Sequence, residues 1–67
     1  MQLDQFLENH NVTADQFALE IGASHRATIY RWINGTRIPS PVFMQRIVES
    51  TGGKVQPQDF YERLIDG

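Results

Sequence analysis

Apolar positions along the chain recur at helical intervals in several short stretches, each bounded by residues that stop helices. Leu3, Phe6, Leu7 and His10 fall at i, i+3, i+4 and i+7, one face of a first helix that Asn9, His10 and Asn11 bring to an end. Thr13 opens "TADQ", a capping box in which the Thr hydroxyl accepts the amide three residues on and Gln16 reaches back. Val12 and Phe17 occupy the two positions of a hydrophobic staple. Ala14, Phe17, Ala18 and Ile21 continue the stripe, and Gly22 is placed to end this second helix in a left-handed cap. Ala18, small on an apolar face, lets a neighbouring helix come close.

Only "AS" separates Gly22 from the next helical pattern, and Ser24 is the expected N-cap. Ile29, Trp32 and Ile33 mark the buried side of this third helix, and Asn34-Gly35 ends it. So short a Gly-containing turn between two helices predicts a steep crossing, as in a helix-turn-helix. In "TRIPSP", Pro39 forbids continuation, Ser40 is an N-cap and Pro41 suits a first helical turn. Val42, Phe43, Met44, Ile47 and Val48 form the fourth apolar stripe, which stops at Thr51-Gly52-Gly53. Lys54-Val55 reads as a short extended piece, with any strand pairing confined to that region. "PQDFYERLI" reads as a last short helix with Phe60 and Leu64 on one side. A helix that short is marginal in isolation and must dock on something. The pattern predicts an all-α fold: one compact bundle of about five short helices over residues 1–67, with a helix-turn-helix at about 13–35.

Charge changes this picture in one place. Residues 1–22 carry Asp4, Glu8, Asp15 and Glu20 and no Lys or Arg; residues 23–47 carry Arg26, Arg31, Arg37 and Arg46 and no acid. Residues 48–67 carry four acids against Lys54 and Arg63, and the whole chain has a formal net charge of −2. An acidic total argues against nucleic-acid binding, whereas a middle third of one sign attracts phosphates. By charge alone, a basic solvated helix face is an equal alternative.

The remaining composition mainly excludes. There is no Cys, hence no disulfide and no thiolate metal site. A chain of 67 residues holds a single small core, burying roughly 60% of its unfolded surface. No apolar run approaches the roughly 20 residues that span a bilayer, and "MQLDQFLENH" lacks a basic and apolar leader, so a soluble, cytoplasmic protein is expected. No phosphate-binding Gly-rich loop, nucleophile with a paired base, or metal-ligand cluster is visible, so neither an enzyme nor a cofactor or small-molecule substrate is expected. His25 has Ile29 at i+4 and not a second ligand, which leaves it a surface or phosphate contact. Trp32 lies in a basic segment and aromatics do stack on single-stranded bases, but its spacing with Ile29 points to the core. Asp15 is explained by the helix dipole of a first turn. Arg46 either solvates the surface or touches DNA.

The segment "TADQFALEIGASHRATIYRWINGTRIPSP" resembles the helix-turn-helix of the lambda Cro/cI-type repressors, through Phe17-Ala18, Gly22, Thr28-Ile29, Arg31-Trp32, Asn34-Gly35, Arg37 and Pro39. The tail "ESTGGKVQPQDFY" is similar to the ends of small, often phage-derived YdaS-like regulators. Two departures stand out. Ala14 occupies a place where the family often has a phosphate-touching Gln, and the Gly22–Ile29 segment is one residue longer than usual.

The resemblance implies a bacterial or phage-encoded repressor that places its recognition helix in the major groove of double-stranded DNA. With Ile29, Trp32 and Ile33 facing inward, the expected base contacts are Arg26, Ala27, Thr28, Tyr30 and Arg31, the two arginines first because Arg bonds guanine O6 and N7 bidentately. The expected phosphate contacts are Thr13, Ser24, His25, Asn34, Thr36 and Arg37, which fix register. Cro/cI-type proteins pair on inverted repeats, which implies a homodimer. Residues 54–67 offer a candidate interface in Val55, Phe60, Tyr61, Leu64 and Ile65, although the same residues also suit closing the chain's own core. A second function class, an antitoxin-like protein-interaction module on the same scaffold, is favoured slightly by Ala14 and the acidic total.

Overall fold

Ala14, Phe17, Ala18 and Ile21 lie at the centre of the molecule, and the other helices are arranged around them. The computed structural model of the protein describes residues 1–63, which form α1 (Leu3–Asn9), α2 (Ala14–Ile21), α3 (Arg26–Asn34), α4 (Pro41–Ser50) and α5 (Pro57–Arg63). One hydrophobic core takes Leu3, Phe6 and Leu7 from α1, that stripe from α2, Ile29 and Trp32 from α3, Met44 and Ile47 from α4, and Phe60 from α5. Helix α2 packs on α3 and α4, and α5 packs on α3. The chain is therefore all-α, with the helix-turn-helix pair α2–α3 at its centre.

Local chemistry sets most boundaries. At the start of α2 both arms of the capping box form: Gln16 N donates to Thr13 Oγ1 at 3.1 Å, and Thr13 N donates to Gln16 Oε1 at 2.9 Å. Its end is a Schellman cap, with Gly22 at φ +79° and Ala23 N donating to Ala18 O at 2.8 Å. Helix α3 ends the same way, with Gly35 at φ +79° and Thr36 N donating to Arg31 O at 3.1 Å. His10 ends α1 on the solvent side and lays its ring against Phe6, centroids 4.3 Å apart.

Three expectations are corrected, and a fourth, Ser40 as N-cap, holds in position without its side-chain bond. Ser24 is not the cap of α3: His25 holds the N-cap position in extended conformation, without a side-chain bond to the helix. Ala23 is drawn into the core, so the chain needs Ser24 and His25 to come back out before α3 can start. Val42 faces solvent, because the inward stripe runs through Phe43, Met44, Ile47 and Val48 and leaves Val42 on the far side of the turn. Lys54-Val55 is not an extended strand but part of a turn and bend. There Val55 is fully buried and its N–H donates to Thr51 Oγ1 at 3.2 Å, while the Thr51 hydroxyl donates to Ile47 O at 2.8 Å.

The short α5 is held at both ends by other elements. At its start Asp59 Oδ2 accepts from Gln56 N at 2.8 Å and from the Met1 ammonium at 3.0 Å. At its end the Arg63 guanidinium donates to Ile33 O at 3.1 Å and pairs with Asp4 at 3.1 Å. Val55 and Phe60 are closed inside the single chain, so both are withdrawn from the candidate dimer surface. Tyr61 remains exposed, and Leu64 and Ile65 lie outside the described residues.

Burial opposes ionisation of Asp59, but the Gln56 amide and the Met1 ammonium together outweigh it and hold the carboxyl below the usual 3.8. A depressed folded pKa means that this stabilisation is present above the unfolded value and is lost as pH falls through the lower folded value. Asp59→Asn is therefore expected to lower stability at pH 7, by about 1–2 kcal/mol since Asn still accepts from Gln56. The variant should also flatten the acid limb below about pH 4, where the usual value lies. Urea denaturation at pH 7 and pH 3 checks this; an equal loss at both would assign the effect to packing.

Candidate nucleic-acid interface

At about 100° per residue, the inward positions of α3 leave an outer arc of about 140° holding Arg26, Ala27, Tyr30, Arg31 and Asn34. All five are exposed, whereas Ile29 and Trp32 are buried on the opposite side and Ile33 and Thr28 are half-buried at the edges. Trp32 is anchored there by Phe43 and Phe60, with ring centroids 5.6 and 6.5 Å away. It is a core residue and presents no face on which a base could stack. One aromatic anchor thus sets the rotation of α3 and, with it, which side chains point outward.

The flanks complete the surface. Ser24 and His25 are exposed just before the helix, and Thr36 and Arg37 just after it. Thr36 donates its hydroxyl proton to Arg31 O at 3.2 Å, so that proton is committed inside the protein. Arg37 N also donates to Arg31 O, at 3.3 Å, which ties the backbone of Arg37 to the end of α3 while its side chain stays exposed. Thr13 lies at the N-terminus of α2; its oxygen accepts from Gln16 N, leaving the hydroxyl proton available. The start of α2 and the start of α3 are brought together, since Arg26 Nη1 lies 3.5 Å from Asp15 Oδ2. That neighbour was not legible in the one-dimensional pattern.

Arg46, the fourth arginine of the basic segment, has a structural task. Its Nη1 donates to Ile21 O at 3.0 Å, and its guanidinium lies 5.8 Å from the centre of the Phe43 ring. A cation at the C-terminal end of α2 meets the negative end of the helix dipole and an otherwise unpaired carbonyl. It sits in an open depression of about 340 Å³ between α2 and α4, lined by Leu19, Gly22, Glu49 and Ser50 among others. No pattern along the chain marks this contact; the one available hint is the Gly22 that leaves room for it.

Among the described residues no group of His, Cys, Asp or Glu could hold a metal ion, and no helix is long and apolar enough to cross a membrane. The surface instead offers guanidinium, phenol, amide and methyl groups on one helix, between two capped turns. Residues 3–57 match a family described as helix-turn-helix. No curated protein and no solved structure matches the chain significantly.

Proposed function

The chain belongs to the Cro/cI-type helix-turn-helix family of DNA-binding regulators, and we propose that it is a repressor that occupies an operator with α3 in the major groove. The observation that carries this reading is the outer face of α3: two arginines, a tyrosine, an asparagine and an alanine stand opposite the buried Ile29 and Trp32. Such a face at the start of a recognition helix can reach base edges. Arg26 and Arg31 take guanine O6 and N7, Ala27 and Thr28 meet thymine methyls, and Tyr30 bonds a base or a phosphate. Thr13, Ser24, His25, Asn34 and Arg37 hold the backbone and set register without reading sequence.

Binding to random-sequence and selected duplexes at several salt concentrations tests the proposal. Log K is expected to fall with log salt, by about 0.9 per phosphate neutralised. Arg31→Ala should lose about 1–3 kcal/mol at the selected site and little on random DNA. Arg37→Ala should weaken all duplexes alike and reduce the slope by about one. A flat salt response would remove DNA as the partner, and identical behaviour of the two variants would remove the division into base and phosphate contacts.

One recognition helix reads only a few base pairs, so the proposed working form is a symmetric pair on an inverted repeat with half-sites about one turn apart. Exposed Tyr61 is the described residue left as a candidate for its twofold contact. The same titration reads this: two chains per duplex support it, and one chain per duplex at saturation ends it.

A further inference from the structure

Arg26 is the first residue of α3, a poor place for a cation, because the N-terminus of a helix is its positive end. The first turn of α3 contains no acid to compensate. Compensation comes instead from α2, whose first-turn Asp15 places Oδ2 3.5 Å from Arg26 Nη1. Both side chains are about two-thirds exposed, 67% for Arg26 and 65% for Asp15, so the pair lies on the outer surface and not in the core. An exposed pair of this kind contributes little to stability. At that distance the contact is long for a hydrogen bond, and the guanidinium keeps its fork of donors.

Resting on the DNA-binding reading above, we propose that Asp15 is a specificity-determining residue that restricts Arg26 to reading bases. A phosphate approaching Arg26 also approaches the Asp15 carboxylate, and the two charges of the pair cancel most of its attraction for an anion. The edge of guanine is a set of neutral acceptors. Arg26 can donate to O6 and N7 while Asp15 stays beside it, and a carboxylate held near one end of the guanidinium limits the directions the fork can take. Asp15 thus penalises the Arg26–phosphate contact and spares the Arg26–guanine contact. Sequence-independent binding falls and selective binding is retained.

The test compares wild type, Asp15→Asn and a charge-matched control, Glu8→Gln on the exposed side of α1. Each is titrated with a random-sequence duplex and with the duplex that wild type selects from a random pool, at several salt concentrations. Asp15→Asn is expected to bind random DNA about fivefold more tightly and to steepen its salt slope by about 0.9, one further phosphate neutralised. The ratio of selected to random affinity should fall by a similar factor. Glu8→Gln should change neither slope nor ratio. In an Arg26→Ala background Asp15→Asn should leave the slope where it was, because the cation it releases is gone. A role in folding alone would move the melting temperature but neither slope nor ratio. A ratio that holds or rises in Asp15→Asn, or a change matched by Glu8→Gln, overturns the inference while leaving DNA binding intact. Failure of wild type to bind any duplex at low salt overturns the functional reading, and this inference falls with it.

Discussion

Trp32→Ala is expected to destabilise the protein by about 3–5 kcal/mol, the range for truncating a large buried aromatic. The indole is 4% exposed and joins three helices, since it belongs to α3 and its ring neighbours Phe43 and Phe60 come from α4 and α5. A domain of this size has a total stability of only about 3–10 kcal/mol, so the variant should be largely unfolded or close to it at 37 °C. Far-UV circular dichroism with thermal melting reads the loss directly. Trp32→Phe should retain the fold with a lower melting temperature, because a smaller ring still fills part of the site. If Trp32 were instead a platform for nucleic-acid bases, Trp32→Ala would melt like wild type and fail only in binding. That result would remove the core assignment and the rotation of α3 that follows from it.

Gly22→Ala is expected to be the next most damaging single change, at about 1.5–3.5 kcal/mol. Gly22 lies at φ +79°, and a left-handed conformation costs a residue with a Cβ about 1–2 kcal/mol. A Cβ there would also stand 2.9 Å from Arg46 Nη1. The end of a long side chain moves easily, but this one donates to Ile21 O, and its displacement leaves the last carbonyls of α2 without that cation. The lost bond adds about 0.5–1.5 kcal/mol. The two contributions separate in a double-mutant cycle with Arg46→Met. The cost of Gly22→Ala should shrink to its backbone part once Arg46 is absent. Equal costs in both backgrounds would show that Arg46 simply moves aside. Because the substitution sits in the turn between α2 and α3, it should also weaken DNA binding at constant salt slope, since no phosphate contact is removed.

Much of this fold is legible in the chain because its signals are local. The capping box at Thr13 and Gln16, the left-handed glycines at Gly22 and Gly35, Pro41 at the start of α4 and the stripes of α1, α2 and α3 each depend on residues within about one or two turns. The outward position of Arg26, Ala27, Tyr30 and Arg31 follows from the same periodicity once Ile29 and Trp32 are assigned inward. The errors are also physical. Ser24 has the chemistry of a cap, yet the burial of Ala23 decides where the turn can end. Val42 has the composition of a core residue, but the direction of α4 is set by its packing on α2.

The sequence by itself determined most helix ends, the start of α3 excepted, and which face of α3 is polar, because hydrogen-bond caps, glycine backbone freedom and helical period act between near neighbours. The tertiary structure alone decided what the charged groups do. Arg46 meets a carbonyl 25 positions away, the Met1 ammonium meets Asp59 58 positions away, and Arg63 reaches Ile33 O 30 positions away. It also decided that Asp15 faces Arg26 and that Val55 and Phe60 lie inside a single chain. A charge carries no periodic signature of its partner. Its role depends on which two surfaces the packed core brings together, and that becomes defined only when all the helices are in place.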